Sequence, residues 1–190
     1  MATTYPDINV FGPKCEPIPA QTHAVSDTTF KVGAMHLQAM WTPCHTKGHV
    51  CYYIPSLDSK SPPILFSGDT LFAGGVGRFF EGNAHDMYHN LFTVFAPLPK
   101  ETLIYAGHEY TLSNLEFAAS VEPGNLALMK KLEWAKTQRK SNKSTMPTTW
   151  GEECDTNPFL RVHEDSIQKA VLETDPVQAL AKLRHLKNKW

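Results

Sequence analysis

Three residues whose types suit metal chemistry recur in one local setting. His45 stands in Thr42-Pro43-Cys44-His45-Thr46-Lys47-Gly48-His49, Asp69 in Ser67-Gly68-Asp69-Thr70, and His108 in Ala106-Gly107-His108-Glu109-Tyr110. A short apolar run precedes each: Ala39-Met40-Trp41, Ile64-Leu65-Phe66 and Leu103-Ile104-Tyr105. Each run reads as a β-strand, so each box puts one candidate ligand just past a strand end. Neutral imidazole and carboxylate oxygen suit zinc, and iron or manganese as well. Glycine or proline beside each ligand permits a sharp turn and close approach. His49 and Glu109 flank the boxes and read as structural.

The elements that must position these boxes follow from periodicity. Ile8–Phe11 reads as a short strand ended by Gly12-Pro13, and Glu16–Asp27 as a polar loop. Thr28–Val32 alternates weakly; Met35–Trp41 alternates better, with Leu37, Ala39 and Trp41 on one face. Val50–Ile54 is rich in β-branched and aromatic residues. A turn is expected over Asp58–Pro63 before the strand at Ile64. The stretch Phe72–Gly82 holds four glycines in its first part and at its end, as suits a loop lining a cleft. Asn83 then caps a helix bearing Met87, Leu91 and Val94, stopped by Pro97. From about Leu112 the period turns helical. One helix carries Leu115 and ends before Pro123-Gly124. A second, capped by Asn125, carries Leu128, Leu132 and Ala135. A short helix covers Asp165–Glu173. A last one, opened by Asp175-Pro176, puts Ala179, Leu183, Leu186 and Trp190 on one face.

The 190 residues suffice for one domain or two small ones, and 42% hydrophobic content is ordinary for a globular protein. A net charge of -1 gives no bulk case for nucleic acid. No apolar run approaches the roughly 18 residues of a membrane span. Met1–Pro6 has neither a basic nor an apolar leader region. Cys15, Cys44, Cys51 and Cys154 show no C-x-x-C spacing, which reads as reduced thiols in a cytoplasmic protein.

These boxes resemble the glyoxalase II (hydroxyacylglutathione hydrolase) branch of the metallo-β-lactamase superfamily. The resemblance includes Gly68-Asp69-Thr70-Leu71-Phe72, Gly107-His108-Glu109-Tyr110-Thr111, Val121-Glu122-Pro123-Gly124-Asn125 and Asn157-Pro158-Phe159-Leu160-Arg161. The family's first metal motif, T-H-x-H-x-D-H, supplies most of its ligands and does not occur in this sequence. The chain therefore looks like the family protein without its N-terminal third. The resemblance implies an α/β fold: a partial metallo-β-lactamase αβ/βα sandwich over residues 1–111, then an α-helical, glutathione-binding domain over residues 112–190.

It also implies two divalent metal ions, with His45 on the first, His108 on the second and Asp69 bridging. The nucleophile is then metal-bound hydroxide rather than a side chain. Arg78, Phe80, Tyr110, Arg184 and Lys187 match substrate positions. Arg78 keeps a basic charge, and Phe80 replaces a frequent tyrosine and loses its hydroxyl. Arg184 and Lys187 lie three apart on the last helix and project together. Asn157–Arg161 reads as structural. The implied substrate is a glutathione thioester of the S-D-lactoylglutathione type. The implied protein is a monomer that binds neither nucleic acid nor membrane, cytoplasmic or in the mitochondrial matrix. The alternative is a chain that binds glutathione conjugates or partners without hydrolysing them.

Overall fold

Apolar side chains from four of its strands build one face of a six-stranded sheet, and that sheet delivers all three boxes. The strands are β1 (Phe11–Pro13), β2 (His23–Val25), β3 (Thr28–Val32), β4 (Met35–Trp41), β5 (Val50–Ile54), β6 (Ile64–Gly68), β7 (Leu71–Phe72), β8 (Gly75–Val76), β9 (Leu103–Ala106) and β10 (Thr148–Thr149). The sheet order is β10-β9-β6-β5-β4-β3, with β6 and β9 parallel and the other neighbours antiparallel. This computed structural model describes residues 7–56, 58 and 60–190. Residues 1–6, read above for a leader, and residue 59, within the turn expected at 58–63, lie outside the described residues.

A parallel pair needs a crossover, and helix α1 (Ala84–His89) supplies it, running on into a π-helical turn at Asn90–Val94. Asn83 caps α1 through its side chain, with Asp86 completing a capping box. Five helices follow in all after β9: α2 (Thr111–Val121), α3 (Leu126–Lys140), α4 (Trp150–Thr156), α5 (Asp165–Val171) and α6 (Pro176–Lys189). Asn125 and Asp175 cap α3 and α6, accepting from the backbone N–H of Leu128 and Gln178. Local cap chemistry thus starts both helices where the sequence expects them.

The sheet's inner face carries Met40, Cys51, Leu65 and Ile104. They share one core with Met87, Leu91 and Phe95 from the crossover and with Phe159, Leu180 and Leu183 from the C-terminal helical part. Fully burying each such side chain contributes roughly 1.5–3 kcal/mol. The outer face is different: Trp41, Phe66 and Tyr105 are 40%, 44% and 36% exposed. Register explains the row, because Tyr52 pairs with Phe66 and Phe66 with Tyr105.

Four details depart from the sequence reading. The first strand is Phe11–Pro13 rather than Ile8–Phe11; at the edge, next to β2 alone, a proline costs no ladder bond. β2 forms inside the expected polar loop. Helix α4 arises in a stretch with too little apolar periodicity to announce it. On α6 the buried apolar residues are Ala179, Leu180 and Leu183, whereas Leu186 and Trp190 are 43% and 63% exposed.

Candidate functional site

The ends of β4, β6 and β9 bring the three boxes to one place. His45 Nε2 lies 3.3 Å from Asp69 Oδ2, and His108 Nε2 lies 3.6 Å from the same oxygen. The other ring nitrogen of His45, Nδ1, is 3.0 Å from the carbonyl of Arg78. A carbonyl only accepts, so Nδ1 carries the proton, and in the neutral ring Nε2 turns a lone pair toward a carboxylate oxygen. Two acceptors facing each other at that distance call for a shared cation, a proton or a metal ion.

Backbone and a second histidine hold Asp69 in position. The Asp69 N–H donates to His49 Nε2 at 3.0 Å, and His49 Nδ1 meets the hydroxyls of Thr42 and Thr70, each at 3.0 Å. Burial pushes His49 down to about 4, against the pull of Asp69 and with help from His45, so the ring is neutral. Gly68 takes a left-handed φ of 50°, and a Cβ there would come within 2.7 Å of His49 Nε2. A Cβ on Gly107 would come within 2.5 Å of Asp69 Oδ1. Glu109 faces away from the site, accepting from Thr145 and Arg139.

A cleft of about 740 Å³ opens over this floor. Its rim holds every substrate position expected from the sequence: Arg78, Phe80, Tyr110, Arg184 and Lys187. Phe80 lies 4.9 Å from the His45 ring, and Tyr110 stacks on His108 at 5.1 Å. Each aromatic residue thus packs beside one histidine. Arg184 is buried; its Nη1 donates to Val76 O at 2.8 Å, its Nε has no partner, and its guanidinium lies 5.6 Å over Phe159. Burial, then the charge of Arg78, pushes Arg184 down to about 10. Lys187 Nζ donates to Ser113 O at 2.9 Å and lies 5.2 Å from the Phe117 ring. Burial and Arg184 push it down to about 8, opposed by Glu116.

Sequence reading passed over Phe72, Ser113, Asn114 and Trp190, which also line the cleft. It also passed over the support beneath the glycine loop. Glu153, fully buried, accepts from the Gly74 N–H at 2.8 Å, from Asn157 Nδ2 at 3.0 Å and from Lys131 Nζ at 2.7 Å. Asn157 Nδ2 also reaches Gly75 O at 3.1 Å. This network pins the β7–β8 hairpin whose far side forms the cleft wall. The local signal was the charged pair itself: Lys131 and Glu153 stand in otherwise buried helix faces.

Two family models together match the chain almost end to end. The metallo-beta-lactamase superfamily matches residues 5–108, and the hydroxyacylglutathione hydrolase C-terminus matches residues 109–190. The chain belongs to the hydroxyacylglutathione hydrolase family of that superfamily. It is 43% identical over 187 residues to the cytoplasmic hydroxyacylglutathione hydrolase of Arabidopsis thaliana, covering 97% of this chain and 72% of that one. It is 47% identical over 186 residues to the hydroxyacylglutathione hydrolase-like protein of Gallus gallus, covering 97% and 66%. Against the probable hydroxyacylglutathione hydrolase of Schistosoma mansoni it spans 61% of the relative's length. Among solved structures, ETHE1 from Myxococcus xanthus matches with a TM-score of 0.63 at 21% identity, over 97% of this chain and 61% of that one. That likeness bears on the fold alone.

The superfamily implies divalent metal ions, and the donor types fit. The number does not. Among the described residues no group of three or more His, Cys, Asp or Glu closes round one point. The three residues gather instead as two pairs sharing one carboxylate. Each pair is one ligand short of the three protein ligands of a catalytic zinc. Among the described residues no helix is long and apolar enough to cross a membrane.

Proposed function

We propose that the chain carries the substrate cleft and part of the metal site of a hydroxyacylglutathione hydrolase, cleaving S-D-lactoylglutathione-type thioesters to glutathione and a 2-hydroxy acid. The observation that carries this reading is the union, in one cleft, of a His–Asp–His floor with a wall of Arg78, Arg184 and Lys187. His45 with Asp69 is the partial ligand set for one divalent ion, and Asp69 with His108 for a second. Zinc is the first choice, with iron or manganese also suited to such donors. When bound, such ions supply hydroxide at neutral pH and polarise a carbonyl.

The residues of this chain bind and orient. Glutathione brings two carboxylates, and a guanidinium and an ammonium on one helix face suit them. Phe80 and Tyr110 give an apolar lining beside the histidines; Phe80 offers no hydroxyl. The division into residues 1–111, bearing the floor, and residues 112–190, bearing most of the wall, belongs to this reading. So do a monomeric working form and a cytoplasmic site of action; the Arabidopsis relative, a cytoplasmic hydroxyacylglutathione hydrolase, favours the latter.

The ligand count favours a second reading, in which this chain binds glutathione conjugates without hydrolysing them. Assaying S-D-lactoylglutathione hydrolysis with and without added zinc, alongside elemental analysis, separates the two. Expected for the hydrolase is substoichiometric, easily chelated metal and turnover that rises with zinc. Conjugate binding without turnover selects the second reading. Two tightly held ions per chain would refute the ligand-count argument.

A further inference from the structure

A second groove adjoins the cleft beyond Phe80. It holds about 450 Å³ between α1, α6 and the loop that carries Arg78. Arg78, Phe80 and Arg184 line both spaces, so the two meet along those side chains. Asn83, His185 and Asn188 line the groove and not the cleft. No Asp or Glu lines it. The acids nearest in sequence are engaged on backbone: Glu81 accepts from the Lys47 N–H at 2.7 Å, and Asp86 from the Asn83 N–H at 2.8 Å. The side-chain oxygen of Asn83 accepts from the His85 N–H at 2.8 Å in the α1 cap, which leaves its amide N–H groups for the groove.

The arginines divide sharply. The chain has four, and Arg139 and Arg161 each pair with a carboxylate. Arg78 and Arg184 have no such partner among the described residues, and they are the two that line the groove. Arg184 is 7% exposed, and its Nε is buried without a partner. Two guanidiniums near one another, with donors around them and no acid among them, suit an anion from outside the chain.

We propose that this groove seats a carboxylate at the far end of the acyl group, so that the cleft also takes glutathione half-thioesters of dicarboxylic acids. This rests on the reading of the cleft as a glutathione-thioester site. In that reading Arg184 and Lys187 on α6 meet the two carboxylates of glutathione, and Arg78 is left without one. Position favours the acyl end. Phe80 packs beside the His45 ring at 4.9 Å, so it stands where the floor gives way to the groove. Lys187, Ser113 and Trp190, on the other side of the cleft, do not line the groove. An acyl chain passing Phe80 lays its methylenes on that ring and brings its terminal carboxylate to Arg78, Asn83 and Asn188. The ring without a hydroxyl suits the methylenes.

The test is calorimetry of the 190-residue chain with S-hexylglutathione and S-(5-carboxypentyl)glutathione, whose arms match in length and differ in the terminal carboxylate. The carboxylated arm should bind at least about tenfold tighter, the scale of one hydrogen bond between charged groups. S-carboxymethylglutathione, whose carboxylate lies too near the sulfur to pass Phe80, should show no such gain over S-methylglutathione. His185 and Asn188 are exposed, so His185→Glu and Asn188→Asp put a carboxylate into the groove without disturbing the core. Each should erase the gain and leave the affinity for S-hexylglutathione unchanged. Equal affinity for the two long arms, an equal gain for the short arm, or a gain that survives both substitutions would overturn the proposal. If S-hexylglutathione binds and the long carboxylate adds nothing, the glutathione cleft stands and the acyl subsite falls. If neither long-armed thioether binds, the reading of the cleft itself falls.

Discussion

At Lys187 the demands of binding and of folding oppose each other. Burial and Arg184 lower its value from 10.5 to about 8. In the unfolded chain the amine keeps its charge up to the ordinary value. Below pH 8 both states are charged and the fold bears the cost of a half-buried cation. Between about 8 and 10.5 the unfolded state binds more protons, so stability rises with pH. Anion binding runs the other way, because a carboxylate needs the charged form. The affinity for S-hexylglutathione should therefore fall as pH rises through about 8, and Lys187→Arg should flatten the profile. Calorimetry across pH 7 to 9 checks both; a flat profile in the parent chain would assign the anion to other groups. The residues of the floor and wall were legible one by one, since box, strand end and helix spacing are local features. What stayed hidden was their surroundings: the unpartnered Nε of Arg184 and the aromatic neighbours of His45 and His108 depend on chain folding.

Among the elements, the β7–β8 hairpin depends most on distant chain. Two residues hold its backbone as strand: Asn157 binds Gly75 O, and Glu153 receives the Gly74 N–H. Asn157→Ala would strip three contacts of the side-chain amide, at Phe72 O, Gly75 O and Glu153 Oε2, and leave buried acceptors unpaired. The expected cost is about 2–4 kcal/mol, read as a lower urea midpoint, with weaker conjugate binding because the hairpin lines the cleft. Loss of stability with binding unchanged would separate the hairpin from the cleft. Caps such as Asn125 and Asp175 were readable because cap and helix are contiguous in sequence. The clamp was not, because Asn157 sits 82 residues from Gly75. Asn157–Arg161 reads from sequence as structural, and Phe159 does pack in the core, but the reach of the Asn157 amide is not a local feature.

For the whole molecule, one core joins sheet and helices, while the sheet edge stands apart. Leu65 and Ile104 share that core with Phe159 and Leu180. β3 is the sheet's terminal strand and most of its residues are exposed, and β1 with β2 forms a separate two-stranded unit. An edge with few buried contacts opens at low free energy. Hydrogen exchange should thus be fast over residues 11–32 and slow over residues 126–140 and in β6 and β9. Equal protection over 11–32 would show that this edge is held as firmly as the core. The alternating pattern in β4 revealed a two-faced strand but not which face the rest of the chain covers; the exposure of Trp41 and Phe66 is a property of the assembled sheet.

The central claim is that the wall of Arg78, Arg184 and Lys187 above the His–Asp–His floor receives glutathione. The direct measurement is calorimetry of S-hexylglutathione binding to the chain and to Arg184→Ala and Lys187→Ala, with melting curves confirming that each variant is folded. Each substitution should weaken binding by about 1.5–3 kcal/mol, the range for a hydrogen bond to a charged group. No binding to the parent chain, or unchanged affinity in both folded variants, would contradict it.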